Sequence, residues 1–470
     1  MEKVECIVVG GGLAGLSAAY GLASEGLEVM VLERGDFAGA KNVTGGRLYV
    51  SPIRGMYPEL WKTAAGALTE GADGAPFERP VVCELLTMMS PGEQTTIEIA
   101  SDRFGGAGAG IGGTRPQSYT VLRARLDQWL AEKVTEKGAM VVPKMKVDEL
   151  LVEPVAEAGA GAAGLSSGPP SAAAAPPVKV VGIRAGGDEI GADVVVVAEG
   201  ALGLLSSAAW LRERPQPEHY ALGYKEVIEL PPGTIEDRWH LDPGEGAAQL
   251  FMGSLTKGMT GGGFLYTNRD SVSLGIVVAM HQMKSRPDEL ESWQLLDEFK
   301  EVAHIRPLLA GGTVAEYSAH AIPEGGMAQV PRLCGDGYVL VGDAAGLALN
   351  ALVTVRGMDF AIASGYYAAK AIAAAKKAGD LSAVGLSSYE AFLRASFVLQ
   401  DLQTARAYPG LIENPRLFTR YPELVSRLLR DLYTVGPGPT PGLVKKALRN
   451  VRGELLRPST WRDAWRMRKL

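Results

Sequence analysis

Residues Val4-Glu5-Cys6-Ile7-Val8-Val9-Gly10-Gly11-Gly12-Leu13-Ala14-Gly15-Leu16 decide the fold. The first six make a short, β-branched run of the kind a buried parallel strand uses. The glycines break it, and Leu16 to Ala23 has helix-forming composition. A second apolar run, Glu28 to Leu32, ends in Glu33, an acid 21 positions after Gly12. This order predicts a β-α-β unit of about 30 residues that binds a dinucleotide. Gly10 permits the tight turn, Gly12 lets backbone approach a pyrophosphate, and Gly15 lets the helix pack on the strand. The first helical residues, Leu13 and Ala14 among them, offer unpaired N–H groups to the phosphates. Glu33 would accept hydrogen bonds from ribose hydroxyls. A glycine-rich turn without a ligand is the plainer alternative, and the correct order of strand, helix, strand and acid weighs against it.

A second signal lies more than 300 residues later, where Gly337-Tyr338-Val339-Leu340-Val341-Gly342-Asp343 returns to the same pattern and runs on into Ala344-Ala345-Gly346. A strand ending in Gly342-Asp343 places a carboxylate beside the first nucleotide fold, where it can hold the ribityl chain of a flavin, a group NAD lacks. Asp343 as a helix N-cap is the structural alternative. Together with the N-terminal motif, FAD is favoured. Another buried strand, Asp193 to Ala198, ends in Glu199-Gly200, which join the expected cofactor-binding set. A long Ala-rich helix, about Met358 to Lys377, would aim amides near Gly357 and Met358 at the flavin's pyrimidine end and stabilise an anionic reduced ring.

The expected architecture is α/β: an FAD-binding Rossmann-like domain of the glutathione-reductase type, an inserted antiparallel-sheet α+β domain, and a helical C-terminal region. Residues 1–210 form the first part of the FAD domain, with a mobile Ala/Gly/Ser/Pro loop at 155–177. That loop extends a hairpin of Val147 to Val152 and Val178 to Ile183. Residues 211–330 are the second, quinone- or substrate-side domain, 331–385 the return segment, and 386–470 the basic helical region.

Composition sets the outer limits. The chain has 470 residues, 47 basic and 53 acidic, for a net charge of −6. Sequence-wide nucleic-acid binding is therefore not expected. Its 59 glycines are about one residue in eight, against roughly 7% on average, which suits close backbone approach to a ligand. The three cysteines, Cys6, Cys83 and Cys334, are too scattered for a disulfide framework or an iron–sulfur cluster, and no metal site is expected. Neither a secretion signal nor a transmembrane run is evident, so a cytoplasmic setting is the expectation.

Several stretches carry a family resemblance. Arg34-Gly35 with Ala38-Gly39-Ala40-Lys41-Asn42-Val43-Thr44-Gly45-Gly46-Arg47-Leu48-Tyr49 resembles the segment after the ribose-binding acid in the FixC-type electron-transfer-flavoprotein:quinone oxidoreductases. So do Ser118 to Arg123 with Asp127 to Leu130, Gly261 to Asn268, Glu316 to His320, Arg356 to Asp359 and Asn414 to Arg416. The resemblance implies one FAD, electrons arriving from an electron transfer flavoprotein of α and β subunits, and a quinone acceptor, menaquinone or ubiquinone. It implies that Gly10, Gly12, Gly15, Glu33 and Arg34 hold the ADP half, with Arg123 near the pyrophosphate and Asp343 on the ribityl chain. Lys41, Asn42, Val43, Thr44, Gly45 and Gly46 would run past the isoalloxazine ring, with Gly357 and Met358 at its O2 edge. Read from the residues alone, Lys41-Asn42 is equally a solvated loop.

Long members of that family add four clustered cysteines, but this chain has none after Cys334. The resemblance therefore implies a separate small ferredoxin-like iron–sulfur subunit, and an electron-bifurcating complex from NADH to ferredoxin and quinone. Rival readings are a prenyl-lipid (geranylgeranyl-type) reductase and a flavin scaffold that does not turn over. An aromatic hydroxylase is disfavoured because Leu347 to Arg356 contains no proline. Between Val444 and Leu470 there are nine basic residues against two acidic ones, with Trp461 and Trp465 one helical turn apart. Such a tail suits an acidic partner, anionic lipid on the inner face of the cell membrane, or a solvated helical face. The Gly105 to Gly113 stretch reads as a flexible loop at the quinone or membrane edge. The role of His320 stays open.

Overall fold

The computed structural model describes residues 2–41, 46–61, 74–101, 104, 116–155, 178–284, 291 and 293–468. Asn42 to Gly45, the Gly105 to Gly113 stretch and nearly all of the 155–177 loop lie outside the described residues.

The β-branched run at the N-terminus forms strand Glu2–Val9, at the centre of an eight-stranded sheet. It pairs in parallel with Val29–Leu32 on one side and Asp188–Val197 on the other. Asp188–Val197 pairs in parallel with Tyr338–Leu340. The register sets Val9 opposite both Leu32 and Val197, and Val197 opposite Leu340. All four strands therefore stop at one edge, which is where an open parallel sheet places its ligand. The antiparallel hairpin of Val147–Pro154 and Val178–Ala185 hangs from Asp188–Val197, as its sequence suggests.

Helix Leu13–Ser24 packs against helix Met358–Ala378 over this sheet, and each buries the face it turns inward. Small residues make the crossing close. A Cβ on Gly365 would sit 2.3 Å from the carbonyl oxygen of Ala14. The crossing brings the two helix N-termini, at Gly12 and Gly357, to the same strand edge.

A second, seven-stranded sheet runs in the order Thr313–Pro323, Tyr220–Glu229, Ser271–Ala279, Gly261–Thr267, Gly246–Gly253, Val81–Ser90, Glu93–Ala100. Its last two strands correct the sequence reading, which left 81–100 with the first domain. Val81–Ser90 instead pairs in parallel with Gly246–Gly253, the one parallel pairing in a sheet that is otherwise antiparallel, as expected. Which sheet such a hairpin joins is settled by partners distant in the chain, and no local periodicity reports them.

Helix Arg420–Tyr433 lies on this hairpin, where Arg430 pairs with Glu93 and Thr95 Oγ1 donates to Ser426 Oγ at 3.2 Å. Helices Leu443–Leu455 and Pro458–Met467 follow, the second tied back by Asp463. Arg416 donates twice to that carboxylate at 2.6 Å, and Tyr421 donates once at 2.5 Å. Trp461 and Trp465 face outward and are exposed.

Candidate functional site between the two sheets

The strand edge of the first sheet and one face of the second enclose a cavity of about 1090 Å³. This exceeds the roughly 300–1,000 Å³ of ordinary small-ligand pockets. Its polar half comes from the first sheet. Gly10, at φ +111°, turns the chain against Ala198, where a Cβ would meet the Ala198 carbonyl oxygen at 2.3 Å. Only glycine suits that turn. Gly12, Leu13 and Ala14 line the cavity, and no side chain caps the helix they open. The first-turn amides are thus left for a ligand.

Glu33 and Arg34 line the cavity beside them. The Glu33 carboxylate accepts from the Gly11 amide at 2.8 Å and the Gly35 amide at 2.6 Å, which locks the glycine turn to the second strand. Arg123 reaches the cavity from helix Arg123–Glu136, donating through Nε and Nη2 to the fully buried Asp127 at 2.8 Å each. Asp343 also lines it, and burial holds its carboxyl above the usual carboxylate range against the pull of Arg123. Gly357 and Met358 open a second helix whose N-terminus has no side-chain cap.

Of the remaining expected residues, Lys41, Gly46, Glu199 and Gly200 line the cavity. The Glu199 carboxylate is committed to the amides of Leu205 and Ser206, at 2.7 Å each, and so caps helix Leu204–Ala208. Gly15 and Gly342 stand behind the lining. A Cβ on Gly15 would lie 2.1 Å from the Gly10 oxygen, and the Gly342 amide donates to Ser364 Oγ at 2.9 Å. They shape the site through packing. Asn42, Val43, Thr44 and Gly45 lie outside the described residues.

The apolar half comes from the second sheet, with Leu86, Leu222, Leu250, Phe264, Tyr266 and Val277 facing inward. His320 joins them from strand Thr313–Pro323. Burial pulls its imidazole down to about 4, helped by the charges of Arg123 and Arg34, so it is neutral near pH 7.

Residue-by-residue reading missed an arginine–tyrosine cluster at the seam. The guanidinium of Arg47 lies 4.5 Å from the Tyr49 ring centre, and that of Arg356 lies 5.9 Å from it. Arg47 also donates to Glu84 of the second sheet at 2.8 Å, and Arg356 to Asp359 and Asp401 at 2.5 Å each. The contacts of Arg47 with Glu84, and of Arg356 with Asp401 and Tyr49, join segments far apart in the chain. The available signals were the family-like stretches that contain Arg47, Tyr49 and Arg356, and the position of Arg356 immediately before Gly357.

The donor set fits a dinucleotide carrying a flat ring. Two uncapped helix N-termini face one space, with cations beside the first and an apolar wall opposite.

Comparison with known proteins agrees. Residues 5–74 match the family model for FAD dependent oxidoreductases, 220–322 the ubiquinone-binding part of ETF-QO, and 408–470 the C-terminal domain of the ETF-QO/FixC family, ETF-QO being the electron transfer flavoprotein-quinone oxidoreductases. The chain is 41% identical over 444 residues to the probable electron transfer flavoprotein-quinone oxidoreductase YdiS of Escherichia coli strain K12, covering 93% of this chain and 92% of that protein. It is 40% identical to protein FixC of Salmonella typhi, covering 95% and 94%. Among solved structures, a geranylgeranyl bacteriochlorophyll reductase-like protein of Thermoplasma acidophilum superposes with a TM-score of 0.66 at 18% identity, over 96% of each chain. At that identity the likeness is one of fold. FAD is the cofactor of this chain.

Proposed function

Because the chain belongs to the FixC and electron transfer flavoprotein-quinone oxidoreductase family, we propose that it receives electrons from an electron transfer flavoprotein, of α and β subunits, and delivers them to menaquinone or ubiquinone. The observation that carries this reading is the two-part cavity of about 1090 Å³: a cationic, amide-lined half suited to a dinucleotide, continuous with an apolar half. FAD when bound accepts electrons from one partner and passes them to another. The chain's own residues bind and orient. The amides after Gly12 and the charges of Arg34 and Arg123 meet the diphosphate, and Asp343 meets the ribityl hydroxyls. The amides after Gly357 offset negative charge at the pyrimidine edge. Phe264, Tyr266 and Leu250 exclude water from the second ring's place.

The three cysteines support a separate iron–sulfur subunit. They lie apart and buried, with thiols pushed up by burial to about 12, 12 and 11 for Cys6, Cys83 and Cys334. We assign any cluster to a small ferredoxin-like partner, within a complex that splits electrons from NADH between ferredoxin and quinone. Among the described residues, no helix is long and apolar enough to cross a membrane. The basic tail with its exposed tryptophans would dock on an acidic partner or on anionic lipid at the inner face of the cell membrane.

The test is flavin absorbance of the complex purified from its host. Bleaching by reduced electron transfer flavoprotein and recovery with quinone support the proposal. Bleaching by NADPH with oxidation by a prenyl lipid, and no response to the flavoprotein, replaces it with the reductase reading.

A further inference from the structure

All but one of the described acids that line the cavity are accounted for. Glu33 and Glu199 accept from backbone amides, Asp148 pairs with Lys146 in the open, and Asp343 is assigned to the ribityl hydroxyls. The remaining acid is Glu324. It follows strand Thr313–Pro323 directly and continues the alternation of His320 and Ile322 along the cavity wall. Its amide donates to the His219 oxygen at 2.8 Å, and the next amide, of Gly325, donates to Gln329 Oε1 at 3.0 Å. The backbone is thus held in place on both sides.

Asn350 orients the carboxyl. Its Nδ2 donates to Glu324 Oε1 at 3.1 Å. The amide of Leu352, a residue that with Ile412 also borders a smaller cavity of about 130 Å³, donates to Asn350 Oδ1 at 3.0 Å. That bond fixes which end of the Asn350 side chain meets Glu324. Oε1 is therefore an acceptor, and Oε2, with no protein partner among the described residues, is the oxygen left to carry a proton. Burial raises the carboxyl above the usual carboxylate range and the Asn350 bond alone opposes it, so the neutral acid is favoured. Asn350 also fixes the place. It stands opposite Val355 in the hairpin of Leu349–Asn350 with Val355–Arg356, whose second strand runs into Gly357 and Met358. Those amides are the ones assigned to the pyrimidine edge. Glu324 is thereby tied to the ring's end of the cavity, whereas His320 on the preceding strand feels the charges of Arg123 and Arg34 at the diphosphate end.

We propose that Glu324 is the acid that protonates the quinone as it is reduced. The inference rests on the quinone reading and deepens it, adding a catalytic residue to a site otherwise built for binding. Reduction to the quinol consumes two electrons and two protons. The electron pair and one proton are those the bound cofactor supplies to one quinone oxygen. For the second proton, the Oε2–H bond of Glu324 breaks and an O–H bond forms at the other quinone oxygen. Glu324 is left as a carboxylate, held by Asn350, and regains its proton from water.

The experiment uses the purified complex with reduced electron transfer flavoprotein as donor and two acceptors: a benzoquinone, and ferricenium, which takes up an electron and no proton. Glu324→Gln keeps the shape and an oxygen for Asn350 but has no acidic proton. It should lower kcat for the benzoquinone by about a hundredfold, the scale of general acid catalysis, and leave ferricenium reduction unchanged. Glu324→Asp keeps the acid on a shorter stem and should fall between wild type and Glu324→Gln. Retained flavin absorbance certifies the fold of each variant. Infrared spectra give a readout without turnover: a protonated-carboxyl band present in the wild-type chain at neutral pH and missing from Glu324→Gln. Equal losses toward both acceptors, an unchanged benzoquinone rate, or no such band overturns the role of Glu324 alone. A wild type that reduces ferricenium but no quinone removes the acceptor reading, and this inference with it.

Discussion

Gly365 faces Ala14 so closely that a Cβ on the glycine would stand 2.3 Å from the Ala14 carbonyl oxygen and 2.8 Å from the Ala18 nitrogen. This contact sets the separation of the helices that begin at Gly12 and Gly357, and with it the spacing of the two N-termini at the cavity.

Gly365→Val should therefore act at a distance. Backbone cannot yield as a flexible side chain does, so the helices must part, at a cost of about 1–3 kcal/mol. We expect a lower thermal midpoint and a larger FAD dissociation constant, read from fluorescence of released flavin. Unchanged FAD affinity would show that the crossing does not govern the site.

Arg123 and Asp127 form a buried pair joined by two hydrogen bonds, and either substitution removes both. Arg123→Ala leaves a fully buried carboxylate and should destabilise the protein by about 3–5 kcal/mol. Asp127→Ala leaves a guanidinium that still borders the cavity and can be met by water or diphosphate. It should cost less. Urea unfolding of both variants with and without FAD checks the order, and added FAD should rescue Asp127→Ala more than Arg123→Ala.

His320 has its imidazole pulled from 6.5 to about 4 by burial and by the nearby arginine charges. Between these values the unfolded chain binds a proton that the folded, cofactor-free protein does not, so stability rises with pH across this window. Stability of the cofactor-free protein should fall as pH drops from about 6.5 towards 4. His320→Gln should flatten the fall. Thermal midpoints across that range measure it, and parallel curves for the two proteins would remove His320 as the cause.

Asp463 is held well below the usual carboxylate range, chiefly by its hydrogen bonds from Arg416 and also by Tyr421. Its stabilising contribution is present above the unfolded value near 3.9 and is lost as pH falls below it. Asp463→Asn should loosen helix Pro458–Met467 at neutral pH. Amide exchange localised to that helix would report it, and equal protection in wild type and variant would count against it.

Much of the polar half of the site was legible in the chain. Gly10, Gly12, Glu33, Asp343 and Gly357 lie at strand ends or helix starts, and such positions announce themselves by local spacing. The register of Val9 with Leu32 and Val197 then carries them to one edge. Glu199 was also marked, yet its carboxylate caps a short helix, because two nearby amides compete for it. The pairing of Arg47 with Glu84 and the meeting of Leu352 with Ile412 left no such trace. Each joins segments whose separation in the chain carries no periodic signal.

By itself, the sequence determined a parallel sheet with a glycine turn, a terminal acid and a returning Gly-Asp strand, and hence a flavin dinucleotide. Those features arise from steric and hydrogen-bonding demands within a few residues, which composition and spacing record. Only the tertiary structure decided that the Val81–Ala100 hairpin completes the second sheet, that an apolar half of the cavity faces its polar half, and that Leu352 stands between two cavities. These depend on which distant surfaces bury one another, and burial is a property of the whole packed chain rather than of any stretch of it.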